Sequence, residues 1–390
     1  MSKFFLALFL LTALAVKSQE QYTYFVDLTA LEEDRVVVEM IAPSLTEDEI
    51  IFQMPKVVPG TYSIYDFGRF ISDVEAYDKT GMALEVEQVD VNSWRISNAS
   101  ELHRVSYKAD DTWDTDLDTV VFEPAGTNFD AGENFVINTH TLFGYFDGME
   151  KLPYEVRFQR PGDFYGATSL QRVRSYDSTD VFTAPDYHAL VDAPIMYSET
   201  DTAMLRIGNA DVLVAVYSPE DKVSAQDIAR DVEDVLEAQE DYLGGTLPVD
   251  RYAFIVYLTN EMSLSGSMGA LEHYYSSMYY LIEMSPHIIS SMVKDIAAHE
   301  FFHIITPLNI HSEEIHYFDF SDPEMSQHLW LYEGVTEYFA GHVQVVYDLI
   351  SMEEYLSALE LKIREMQDYN DTVPFTTISE FILEEYEDQF

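Results

Sequence analysis

Two periodicities divide the chain. From Tyr22 to about Gln159, apolar and polar residues alternate in short runs, as in Val36, Val38 and Met40 or Tyr154, Val156 and Phe158. Period two turns one face of each run inward and predicts half-buried strands. Pro59-Gly60, Lys79-Thr80-Gly81 and Pro161-Gly162 fall between the runs, like the turns of an antiparallel β-sandwich-like module. The stretch from Arg172 to Thr200, with Pro185 and Pro194, reads as looser chain crossing to a second module. There the period changes. Met204 to Val216 and Tyr252 to Leu258 read as buried strands, and Ser224-x-x-Asp227 is a capping box opening an amphipathic helix that ends at Gly244-Gly245. Ser285-Pro286 starts a long helix, and Pro307 stops it. The fold class is α+β and multidomain: a signal segment over 1–19, an N-terminal β-domain over 20–180 and a mixed α/β domain over 181–390.

Composition narrows the partners. Against 70 Asp and Glu the 390 residues carry 21 Lys and Arg, a net charge of −49. Nucleic acid is excluded as a partner, because phosphate binding needs a basic surface. So acidic a surface serves solubility or a salty medium first, and it also attracts metal cations and amines. The chain has no cysteine. Disulfides, thiolate zinc sites and cysteine nucleophiles are thereby absent, and any metal must sit on His and carboxylates. Lys3 precedes an apolar stretch from Phe4 to Val16, too short for the roughly 20 residues that span a bilayer, and Lys17, Ser18 and Gln19 follow it. This is a secretory signal, cut after Ala15, Ser18 or Gln19. No later run is apolar enough to form a stable membrane anchor, so the mature protein is expected to be soluble and exported, periplasmic or extracellular.

Inside the long helix stands His299-Glu300-Phe301-Phe302-His303. Residues four apart share a helical face, so both imidazoles can reach one ion, while Glu300 lies about 100° round the axis beside a water on that ion. A catalytic zinc site wants a third protein ligand and an open position. Thirty residues beyond His303, Glu333 in Leu329-Trp330-Leu331-Tyr332-Glu333-Gly334 opens another helical run and can complete a His2Glu set. Glu337, one turn further, either accepts the outer N–H of a ligating His or is a solvated helix carboxylate. His311 and His316 follow the helix-breaking Pro307 and read as structural or surface residues. Gly266-Ser267-Met268-Gly269 lacks one of the two spacers of a serine-hydrolase elbow. Gly269-Ala270-Leu271-Glu272-His273 reads as an edge strand whose backbone at Gly269 and Ala270 can pair with an extended peptide. By spacing alone, Glu272 is one acidic surface residue among many.

Taken together, Gly269-Ala270-Leu271-Glu272-His273, the HExxH helix followed by Thr306-Pro307-Leu308, and Leu329-Trp330-Leu331-Tyr332-Glu333-Gly334 resemble the glycyl aminopeptidase family of gluzincin metallopeptidases. The segment Pro59-Gly60-Thr61-Tyr62-Ser63-Ile64-Tyr65-Asp66-Phe67-Gly68-Arg69 is similar to the one that marks the family's N-terminal β-domain. The resemblance implies a thermolysin-like catalytic domain holding one Zn2+ on His299, His303 and Glu333, with Glu300 as general base and Glu272 recognising the substrate's α-amine. It implies an aminopeptidase that releases small N-terminal residues such as Gly or Ala from peptides. Zinc suits His2Glu better than cobalt or manganese. Family members continue into further catalytic helix and commonly a PDZ domain, so this chain is expected to be cut short at Phe390, without a PDZ domain. The tyrosine that stabilises the oxyanion in the wider group is then expected past Phe390, Tyr386 being a poor match. Two other readings stand beside this one: a zinc endopeptidase, and a non-catalytic peptide-binding or scaffolding protein.

Overall fold

In the computed structural model of the chain, residues 20–114, 120–199, 201–368 and 372–383 are described. The signal segment, Tyr386 and the chain end lie outside them. The first half is built of strands in three sheets. The largest has eight strands, with Tyr22–Asp27 and Arg35–Ile41 near its middle. Their alternation works as its period requires: Tyr22, Tyr24, Val26, Val36, Val38 and Met40 all point into one core. One pairing in this sheet is parallel, Tyr22–Asp27 with Tyr154–Gln159, while the rest are antiparallel. These two strands are far apart in sequence, so no hairpin dictates their relative direction.

The stretch from Arg172 to Thr200 differs from the looser chain expected of it. Gln171–Tyr176 and Thr179–Ala184 form a hairpin at the end of the eight-stranded sheet, and Ile195–Ser198 pairs with both Asn134–Ile137 and Tyr165–Thr168. The prolines mislead because they punctuate strands and do not interrupt them. Pro185 follows the last residue of one strand and Pro194 precedes the first of the next, where no ladder N–H is required. Sheet pairing of the first half therefore runs past residue 180 to Ser198.

The second half centres on a five-stranded sheet in the order Asp201–Ile207, Ala210–Tyr217, Arg251–Thr259, Ser276–Ile282, Gly269–His273. The three inner strands run parallel and are nearly continuous apolar sequence, because both faces are covered. On one face Ile228, Val232 and Val235 of the helix Ala225–Tyr242 and Val293 and Ala297 of the helix Pro286–Glu300 pack over Val212, Val214 and Phe254. On the other, Leu213, Ala215, Ala253, Ile255 and Met278 lie against Trp113, Val136, Ala167 and Met196 of the first half. The sheet is thus clasped between helices and the N-terminal strands. The connection to the next long helix, Leu329–Val346, is held the same way: Phe318, Phe320, Met325 and Leu329 are buried in the core of the first half, and the Lys56 N–H donates to the Phe320 carbonyl at 2.8 Å.

Candidate metal centre and active site

The helix Pro286–Glu300 buries Val293, Ala297 and Ala298 against the sheet, which fixes its rotation about its axis. It ends earlier than its proline predicts. A single 3-10 turn, Phe301–Ile304, follows Glu300. Pro307 has no N–H to offer the His303 carbonyl, which accepts from Leu308 at 3.2 Å. The tightened turn keeps the two histidines together all the same, with His299 Nε2 and His303 Nε2 3.1 Å apart. The helix Leu329–Val346 brings Glu333 Oε2 to 3.3 Å from the first of these nitrogens and 3.9 Å from the second.

These separations suit an ion. Ligand atoms tetrahedrally placed at about 2.0–2.1 Å from zinc are roughly 3.3 Å from one another, close to what the three atoms adopt. The outward nitrogens are occupied: His299 Nδ1 lies 2.8 Å from Glu337 Oε2, and His303 Nδ1 lies 2.8 Å from the Thr306 carbonyl. Both acceptors favour a proton on Nδ1, which leaves each Nε2 as the ring nitrogen that would face an ion. Lys362 Nζ holds the other oxygen of Glu337 at 2.7 Å.

Charge points the same way. Burial favours a neutral His299, but its hydrogen bonds to Glu333 and Glu337 outweigh this and push the ring up to about 10. Burial would raise Glu333, yet the hydrogen bond from His299, the His303 ring and the Tyr62 hydroxyl hold it at about 2. The hydrogen bond from His299 holds Glu337 at about 2 as well, with Lys362 helping. Burial pushes Glu300 up to about 7, Glu333 adding to the effect and His299 opposing it. Burial, followed by the charges of Glu333 and Glu300, drives Glu272 well above the usual carboxylate range. Four carboxylates crowding one cleft call for cations.

Glu272 stands on the edge strand Gly269–His273, which pairs only with Ser276–Ile282 among the described residues. Its carboxylate and donor atoms of Glu300 and His303 all lie within 4.8 Å of one another. His311 and His316 stack on each other at 4.5 Å and line the same cleft, but they join neither metal-competent cluster among the described residues.

Two residues of the first half enter the site without having been singled out from the sequence for it. Tyr62 donates its hydroxyl to Glu333 Oε1 at 2.6 Å. Gly60, with φ of +86°, lies so close to Glu272 that an added Cβ would sit 2.9 Å from Oε1. Gly60→Ala is therefore expected to strain the turn by roughly 1 kcal/mol through its left-handed backbone. It should also displace the Glu272 carboxylate. A thermal melt beside a structure of the variant checks both, and an unmoved Glu272 with an unchanged melting temperature would mean that the turn has room for the methyl group.

The chain matches the profile of the peptidase M61 N-terminal domain over residues 23–199 and that of the M61 glycyl aminopeptidase over residues 292–378. No curated protein matches it. Among solved structures it is similar to an aminopeptidase N family protein from Idiomarina loihiensis, with a TM-score of 0.81 and 19% identity over 94% of this chain and 62% of that one. It is also similar to an M1 zinc metallopeptidase from Deinococcus radiodurans, with a TM-score of 0.52 and 14% identity over 94% of this chain and 78% of that one. Yeast LTA4 hydrolase in complex with bestatin is similar at a TM-score of 0.55 and 14% identity, over 92% of this chain and 52% of that one. At such identities the likeness is one of fold. The chain spans 62% of the length of the Idiomarina protein.

Proposed function

The chain belongs to the M61 glycyl aminopeptidase family, and from that premise we propose that it is a zinc-dependent aminopeptidase acting on peptides with a free amino terminus. His299, His303 and Glu333 would hold one ion. Zinc there would supply Lewis-acid polarisation of the scissile carbonyl and lower the pKa of an attacking water toward neutrality. Glu300 is placed to take a proton from water attacking that carbonyl and to return it to the leaving amine. Glu337 and the Thr306 carbonyl fix the two rings by occupying their Nδ1 positions.

One separation carries the exopeptidase reading. An α-amine 2.7–2.9 Å from a carboxylate, plus about 2.5 Å from that nitrogen to its own carbonyl carbon, puts the first carbonyl roughly 5 Å from the carboxylate. Glu272 lies within 4.8 Å of donor atoms on Glu300 and His303, so an amine bound to it delivers the first peptide bond and not a later one. Glu272 is also the carboxylate that most needs a cation, being half-buried beside Glu333 and Glu300. Glu272→Ala is expected to reduce kcat/KM on free-amine dipeptides by two to three orders of magnitude, roughly the 3–4 kcal/mol of a buried ion pair broken on one side. N-blocked peptides should be unaffected. Equal losses on the two substrates would leave an endopeptidase.

A preference for Gly or Ala follows from the family alone. The cleft beside Glu272 and His303 is lined by Val58, Val191 and Phe320 and holds a cavity of about 150 Å³. Rates across Gly-, Ala- and Phe-terminated dipeptides measure that preference. Export is proposed on residues 1–19 alone. Among the described residues no helix is long and apolar enough to cross a membrane.

A further inference from the structure

We propose that Tyr62 is a positioning residue for the metal centre, contributed by the N-terminal half: its hydroxyl pins the outer oxygen of Glu333 so that the other oxygen alone faces the two imidazoles. The proposal rests on the reading of Glu333 as the third ligand. Its basis is a division of labour between the two carboxylate oxygens. Oε2 lies 3.3 Å from His299 Nε2 and 3.9 Å from His303 Nε2, while Oε1 accepts from Tyr62 at 2.6 Å. A phenol has one proton to give. Committed to Oε1, it keeps that oxygen from swinging inward, where a two-oxygen grip on the ion would close the position that substrate and water need.

The loop is built to hold that hydroxyl in place. Tyr62 itself has φ of +52°, a left-handed conformation that a bulky L-residue keeps only where its surroundings over-determine it. Gly60 two residues earlier lies flush against Leu271 and Glu272. The Lys56 carbonyl accepts from the N–H groups of Tyr65 and Asp66 at 3.1 and 3.0 Å, and the Lys56 N–H donates to the Phe320 carbonyl. The loop bearing Tyr62 is thus tied to the same connection that delivers the helix of Glu333. No other hydroxyl or cation from the N-terminal half donates to Glu333 among the described hydrogen bonds.

Tyr62→Phe removes the hydroxyl and keeps the ring. In the full chain, zinc affinity measured against a chromophoric chelator is expected to fall 10–100-fold, as for other outer partners of metal ligands. The melting temperature of the metal-free protein should fall only slightly, because Glu333 keeps its hydrogen bond to His299, and the loss of zinc affinity should exceed what that fall accounts for. With zinc saturating, kcat should fall while KM for a free-amine dipeptide stays within about twofold. Zinc affinity and kcat both within twofold of wild type would overturn the proposal, and so would a fall in the metal-free melting temperature that accounts for the lost affinity. The control is Glu333→Ala. If that variant binds zinc as tightly as wild type, the ligand assignment itself has failed; if it loses zinc while Tyr62→Phe does not, only the role of Tyr62 has.

Discussion

Glu300→Gln is expected to lower kcat on a free-amine dipeptide by a factor on the order of 10²–10⁴ while zinc affinity stays within about twofold. The substitution keeps the size and shape of the side chain and removes its capacity to take a proton. Glu300 is well suited to that task. It is 9% exposed, and its Oε2 is buried without a protein partner, so that oxygen has lone pairs to spare. Burial, together with the charge of Glu333, holds its affinity for a proton near neutrality, where a group can both accept and release one. Since Glu300 is not among the three side chains facing one another at the His2Glu cluster, its loss should not release the ion. Kinetics and metal content measured on the same preparation decide the matter. Full activity in the variant would reassign the base.

Stripping the ion with a chelator should bring turnover to background and leave the fold intact, with activity restored by one equivalent of zinc. The pH dependence has a definite sign. In the metal-free protein His299 is pushed up to about 10, so near pH 7 its ring carries a proton held between Glu333 and Glu337. An incoming ion must displace that proton. Affinity therefore rises with pH and weakens about tenfold for each unit by which pH falls below about 10. His303, lowered by burial, is already neutral at pH 7 and releases nothing. Calorimetry in two buffers of different ionisation heat should count one proton released per ion. Hydrolysis surviving complete chelation, or binding with no proton released, would contradict the assignment.

Much of the site was legible because helical spacing is rigid. His299 and His303 had to share a face, and Glu337 had to follow Glu333 by one turn; the structure brings Glu333 to the imidazoles and Glu337 to the outer nitrogen of His299. Gly269–His273 was legible as an edge strand from its loop and its apolar neighbour Ser276–Ile282. The tightened turn at His303 was not, since it depends on which carbonyl Pro307 fails to serve. Nor were Tyr62 and Gly60. Their segment was recognisable as a family mark, but its role depends on a contact across 271 positions of sequence, for which no local periodicity exists. The strands between Gln171 and Ser198 were hidden by prolines that flank them.

The burial of Phe318, Phe320, Met325 and Leu329 in the N-terminal core has a consequence for biosynthesis. Translation delivers the strands that receive these side chains long before it delivers the helix of Glu333. A nascent chain therefore owns its docking wall while its two histidines still lack their carboxylate. The surface that seats the connection thus exists before the residue that the connection carries into place.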